Sequence, residues 1–199
     1  MNKNFAECVS DHGSNNKIEG EPVLANKLTV TFRGEGAVLR IGDNVEFVNC
    51  NITLYSNAVV SIGADSRIRG SLLAHSDCSI TIGDSMRCNS YLNISTAEKT
   101  SVCIGNDCLV AQATIRTSDM HPIFDLSTKE RINRAADVSI GDHVWLGQDA
   151  YIGKGAVVGS GSVVGANSVV TKTVPENSVC AGNPARVIKT NIYWEKRLS

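Results

Sequence analysis

From Ile140 to Val170 an aliphatic residue returns at every sixth position: Ile140, Leu146, Ile152, Val158, Val164 and Val170. Glycine follows each of the first five, at Gly141, Gly147, Gly153, Gly159 and Gly165. A helical face repeats about every 3.6 residues and a strand face about every two. Six residues are three strand periods, so an extended chain points every sixth side chain the same way. The glycines then mark corners, where the backbone turns tightly or takes a positive φ at little cost. A second column keeps the same phase four residues after each aliphatic: Val144, Ala150, Ala156, Ser162, Ser168 and Val174. Each unit therefore reads as one short strand and one corner, with a large and a small residue facing inward. Three units close a triangular coil of about 18 residues, the hexapeptide form of a parallel β-helix.

A looser version of the repeat lies upstream. "IGDNVEF" begins at Ile41, "IGADSRI" at Ile62, "IGDSMRC" at Ile82 and "IGNDCLV" at Ile104, at spacings of 21, 20 and 22 residues. From Ile104 to Ile140 there are 36 residues, and Thr117 to Asp137 breaks the pattern with charges, a proline and no I-G corner. This stretch reads as a loop thrown out of the solenoid, and loops longer than about 12–15 residues in compact folds are usually functional or disordered. The organisation expected is a cap or partly disordered segment over 1–22, a solenoid over 23–185 with the loop 117–137, and a short helical tail over 186–199. The tail's apolar residues, Val187, Ile188, Ile192 and Tyr193 or Trp194, suit a capping helix.

Composition agrees with one thin-cored domain: aromatics are 5% of 199 residues. A net charge of −1 gives no global attraction to nucleic acid or to a membrane surface. No run of about 18 apolar residues exists and the first residues lack the apolar core of a signal peptide, so a cytoplasmic location is expected. Seven cysteines without a C-x-x-C read as free thiols, with Cys78, Cys88, Cys103 and Cys108 expected to be buried and no metal expected. Trp145 is the fifth residue after Ile140 and therefore points outward, which suits a subunit contact or a ligand surface. Of the four histidines, His12 lies in the polar N-terminus, His75 and His143 lie on coils, and His143 occupies a corner where a solvated side chain is expected. His121 lies on the extruded loop before Pro122; from the residues alone it suits either a general base or a solvated loop histidine.

The loop "HP" at His121–Pro122, "IGDHVWLG" from Ile140, "VVTKTVPEN" from Val169 and "AGNPARVI" from Ala181 together resemble the bacterial hexapeptide-repeat O-acetyltransferases. The resemblance is best over Asn93 to Lys189 and is to the galactoside, maltose and capsule-modifying members. It implies an all-β, left-handed parallel β-helix, a homotrimer, and acetyl-CoA as donor to a sugar hydroxyl, with no metal. It implies His121 as general base in a ternary complex. Asn93, twelve residues before Gly105 as His121 is sixteen after it, is implied as the acceptor-binding asparagine. Trp145 is implied to line the active site. Gly147, Gln148, Gly165 and Ala166 are implied to form a groove for the pantetheine arm, with the Gln148 N–H as oxyanion donor. Lys172 and Arg186 match positions near the coenzyme phosphates. The implied acceptor is sialic acid in a capsular polysaccharide, which Arg67, Arg69, Arg87, Arg131 and Arg134 would attract. A galactoside- or maltose-type or other small-sugar O- or N-acetyltransferase is the alternative. A γ-type carbonic anhydrase needs three zinc-binding histidines, and the H-x-x-x-x-H pair is absent. A non-catalytic solenoid leaves the long loop unexplained.

Overall fold

The computed structural model describes residues 4–197. The chain winds as a parallel β-solenoid of about eight turns with three faces. The strands Leu24–Phe32, Glu46–Leu54, Arg67–Ala74, Arg87–Thr96 and Leu109–Arg116 each bend across the corner between the first and second faces. The third face is a seven-stranded parallel sheet running from Lys17–Glu19 to Val157–Val158. The inward columns are those the six-residue period predicts. Ile41, Ile62, Ile82, Ile104, Ile140 and Val158 stack in register on the third face. Val30, Ile52, Leu72, Ile94, Ile115, Ile152 and Val170 stack on the second. All of these side chains are buried, each worth about 1.5–3 kcal/mol of transfer free energy.

The corner glycines have a different reason from the one the repeat suggests. Gly42, Gly63, Gly83, Gly105 and Gly141 are absent from the positive-φ residues; a Cβ on any of them would sit 2.4–2.7 Å from an atom of the next coil. They permit close approach between coils. The positive φ falls two residues later, on Asn44, Asp65, Ser85, Asp107 and His143, types that mostly tolerate the left-handed region. The intervening residue closes a ladder: the N–H groups of Ala64, Asp84, Asn106 and Asp142 donate to the side chains of Asp84, Asn106, Asp142 and Ser160, at 2.6–3.1 Å.

Three expectations are corrected. Residues 186–199 do not form a capping helix. Ala185–Thr190 is a strand that returns antiparallel along Ser178–Gly182, because the last coil exposes an unpaired edge that this pairing satisfies. Leu198 and Ser199, also inside the expected helix, lie outside the described residues. The segment 1–22 is not a separate cap from Val9 onward: Val9–Asp11 and Lys17–Glu19 pair in parallel with Val30–Phe32 and Val38–Arg40 and form the first coil. Cys103 is exposed, while the other six cysteines are buried and free. Burial pushes the Cys88 and Cys108 thiols up to about 11, which suits inert packing groups. Among the described residues no helix is long and apolar enough to cross a membrane.

Candidate active site

The loop leaves the solenoid after Arg116, at the corner between the second and third faces, and the chain re-enters at Val138. It is ordered by its own bonds. Phe124 and Arg131 form an antiparallel bridge, and the Asp125 and Ile132 N–H groups donate to the Glu130 and Ile123 carbonyls at 2.9 Å. Glu98, on the coil below, accepts two hydrogen bonds from the Arg131 guanidinium at 2.6 and 2.8 Å and one from Ser118 at 2.6 Å. Those bonds, Arg131 first, lower the Glu98 carboxyl to about 2. Lys154, on the next coil, reaches the Asp119 carboxylate and the Asn133 carbonyl. His121 is exposed, and among the described residues nothing bonds its ring. Around it Met120, Ile123, Phe124, Leu126 and Ile132 are exposed, Leu126 by 85%. A solitary arm bearing that much apolar surface suits packing against another body.

Trp145 lies on the first face, in a column with Arg67, Arg87, Leu109, Val163 and Val179. It is 38% exposed and points outward, as its place in the repeat predicts. Its ring lies 5.9 Å from that of Trp194, which the C-terminal tail lays across this face. Trp194 is 9% exposed, stacks on His143 at 4.1 Å and donates its indole N–H to the His143 carbonyl at 3.0 Å. The His143 ring spans Asp107 Oδ2 at 2.6 Å and the Trp194 carbonyl at 3.0 Å, and Lys196 also contacts Asp107. Burial works to raise the Asp107 carboxyl, but hydrogen bonds from Lys196 and His143 outweigh it and hold it below the usual range. His143 is thus a clasp for the tail rather than a solvated corner. In the sequence Trp194 stands out only as one of the tail's apolar residues, and its partner His143 lies 51 positions away.

Gly147, Gln148, Gly165 and Ala166 stand on successive coils at the corner between the first and second faces. Gly147 permits close stacking, since a Cβ there would meet the Val164 carbonyl at 2.7 Å. On the corner between the third and first faces the N–H after Gly63, Gly83, Gly105 and Gly141 is capped by a side chain of the next coil. Among the described residues the N–H groups of Gln148 and Ala166 have no such partner. They stand one coil apart. Asn93 lies on the second face in a column with Ser71, Thr114, Tyr151 and Val169. It lines a cavity of about 180 Å³ with Tyr91, Gln112, Thr114 and Tyr151. Gln148 Nε2 donates to Gln112 at 2.9 Å, so the corner adjoins this cavity. Arg186 is exposed and pairs across the terminal hairpin with Ala181, whose Cβ lies close to Gly165. Lys172 is exposed and follows Thr171, which lines a cavity at the loop base with Arg116, Asp119 and Lys154.

The predicted residues therefore fall into two groups. Trp145, Gly147, Gln148, Gly165, Ala166 and Arg186 gather along the first face and its corner, with Asn93 just beyond. His121 and Lys172 belong to the opposite corner, where the loop departs. Of the basic residues, Arg131 is consumed by Glu98 and Arg67 by Glu46. Arg69, whose Nε is buried without a partner, Arg87 and Arg134 remain. Among the described residues no three His, Cys, Asp or Glu side chains stand close enough to hold a metal ion.

The bacterial transferase hexapeptide family (six repeats) matches residues 137–172, the stretch that carries Gln148 and Ala166. The crystallised polysialic acid O-acetyltransferase OatWY superposes with a TM-score of 0.90 at 38% identity, over 96% of this chain and 92% of that one. The chain belongs to the hexapeptide-repeat acyltransferases. Polysialic acid O-acetyltransferases of Escherichia coli O1:K1 / APEC and Neisseria meningitidis are 45% and 39% identical over 138 and 141 residues, each 69% of this chain. The aligned stretches span 45% and 65% of those two proteins' own lengths. The chain thus spans less than two thirds of the length of these two curated relatives.

Proposed function

We propose that this protein is an O-acetyltransferase that moves acetyl from acetyl-CoA to a hydroxyl of sialic acid in a capsular polymer. The observation that carries the reading is the uncapped N–H of Gln148 beside Trp145 and the Asn93 cavity, in a chain 38% identical to OatWY over nearly its whole length. His121 deprotonates the acceptor hydroxyl as its oxygen attacks the thioester carbonyl. The Gln148 N–H stabilises the oxyanion, a contribution typically worth about 2.7–4 kcal/mol. The C–S bond then breaks and the His121 proton leaves with the coenzyme sulfur. Because one chain holds His121 and the Gln148 corner apart, the working unit is a homotrimer in which the apolar loop of one copy meets the first face of the next. Such a reaction needs no membrane segment and suits the cytoplasm, where acetyl-CoA is made.

The acceptor reading has its support in the column that runs from Trp145 to Arg87 two coils away, about 10 Å at the usual strand spacing. A sialic acid polymer is a regular polyanion, and Arg87, Arg69 and Arg134 supply the local cations that a net charge of −1 does not. Such attraction is screened over a Debye length of about 8 Å at physiological ionic strength. Acetyl transfer to polysialic acid is therefore expected to exceed transfer to free sialic acid, with the KM for polymer rising with salt. Turnover of a neutral galactoside with none of polysialic acid overturns the reading in favour of a small-sugar enzyme.

Lys172 and Arg186 are assigned to the coenzyme phosphates, and both are exposed cations without an acidic partner among the described residues. Lys172→Ala is expected to raise the KM for acetyl-CoA about 5- to 30-fold, the equivalent of about 1–2 kcal/mol for a lost charge-assisted bond, and to leave the KM for acceptor nearly unchanged. Equal KM values for acetyl-CoA in variant and wild type exclude Lys172 from the role.

A further inference from the structure

We propose that Asn133 is the positioning residue for His121, holding the Asp119 carboxylate before it and the His121 carbonyl and Ile123 N–H after it, and passing its hold to the solenoid through Lys154. Asn133 is the one asparagine among the described residues that is buried, at 8% exposure, although it belongs to a loop whose other residues from His121 to Ile132 are largely exposed. Its side chain is saturated in a directional way. Oδ1 accepts the N–H of Ile123 at 2.6 Å, two residues after His121. Nδ2 donates to the carbonyl of His121 itself at 2.9 Å and to Asp119 Oδ2, two residues before it, at 2.8 Å. Both ends of the segment Asp119–Ile123 are therefore pinned by one planar amide.

The clamp is tied to the solenoid by a second set of bonds. Lys154 sits on the corner of the coil Ala150–Ile152 and contacts both Asp119 and the backbone carbonyl of Asn133. These contacts hold the Asp119 carboxyl below its usual range, Lys154 first and Asn133 second. From the other side Arg131 donates to Asn133 Oδ1 at 3.3 Å while holding Glu98. The His121 ring has no partner of its own among the described residues, so the direction in which it projects depends on this backbone segment. Met120, with φ at 65°, and Pro122 leave the segment few other conformations once its ends are fixed. A carboxylate or an alkyl group at 133 cannot reproduce the pattern, because two of its bonds need an N–H₂ donor and the other two an acceptor.

The inference rests on the reading of His121 as general base, and the test separates the two. Asn133→Ala is expected to lower kcat by about 10²-fold, the typical cost of a misplacement near 1 Å, with the KM for acetyl-CoA within about twofold of wild type and the melting temperature nearly unchanged. Asn133→Asp keeps the acceptor, loses both donors, and gives the same result should the alanine variant misfold. The deciding measurement is the double variant His121→Ala/Asn133→Ala. If Asn133 acts only through His121, the double variant turns over no more slowly than His121→Ala alone. A further loss in the double variant, or a wild-type kcat in both Asn133 variants while His121→Ala is impaired, overturns the inference and leaves the base intact. A fully active His121→Ala removes the reading on which it rests.

Discussion

Replacing His121 by alanine is expected to lower kcat by about 10²–10⁴-fold, the usual contribution of a general base. The melting temperature and the affinity for CoA are expected to stay close to wild type, because the ring is exposed and no protein group among the described residues depends on it. Steady-state kinetics, a thermal melt and a CoA titration check the three parts. Turnover near wild type refutes the assignment. Direct transfer in the ternary complex is the expected route, and a trapped acetyl-cysteine contradicts it.

The same substitution tests where the site is built. Within one chain His121 leaves from the corner between the second and third faces, whereas Trp145 stands on the first. If each site takes its loop from one copy and its face from the next, two impaired variants can complement each other. Co-expressed His121→Ala and Trp145→Ala subunits, mixed at random in a closed trimer, leave about one site in four with both parts intact. Activity near a quarter of wild type is the expected result. No recovery on mixing, together with an active monomer in sedimentation, overturns the shared site.

The solenoid is legible because its determinants are local. An aliphatic every sixth place needs only strand alternation to become an inward column, and the same parity sends Trp145 outward. Cys103 lies between the inward Val102 and Ile104 and is therefore exposed by the same parity, where composition alone suggests burial. The loop is legible as a break in the period. What pattern cannot supply is pairing at long range. The return strand Ala185–Thr190 exists because an edge is open beside it, which its own apolar spacing does not encode. The clasp between His143 and Trp194 joins positions 51 apart. Arg131 meets Glu98 across 33 residues, so a cation that looks free in the sequence is already neutralised. The candidate site is legible in its parts for the same reason, and not in its assembly. Glycine spacing marks Gly147 and Gly165, but that the Gln148 N–H lacks the side-chain cap found after Gly63, Gly83, Gly105 and Gly141 is visible only in the structure.

Gly70→Ala is expected to produce the largest loss of stability of any glycine-to-alanine change on the bend between the first and second faces. Gly70 has φ at 126°, a region that side-chain-bearing residues rarely enter. Occupying it with alanine costs about 1–3 kcal/mol. A Cβ there would also stand 2.0 Å from the Leu92 carbonyl oxygen and 2.7 Å from the Leu92 nitrogen and carbonyl carbon. These are backbone atoms of the neighbouring coil, so no rotamer change relieves the contact, and displacing packed structure adds about 1–3 kcal/mol. For a chain of this size about 2–4 °C of melting temperature goes with each kcal/mol, so the melt should fall by on the order of 10 °C. Gly153→Ala is the matched control. Its φ lies outside the left-handed region and the nearest atom to an added Cβ is 3.4 Å away, so its melt should stay within a few degrees of wild type. The displaced backbone at Leu92 directly precedes Asn93, and the Gly70→Ala protein that remains folded should show a raised KM for acceptor with the KM for acetyl-CoA little changed. Equal melting temperatures for the two variants would mean that the coils separate at Gly70 without strain, and that the close approach of these two strands does not hold the Asn93 cavity in shape.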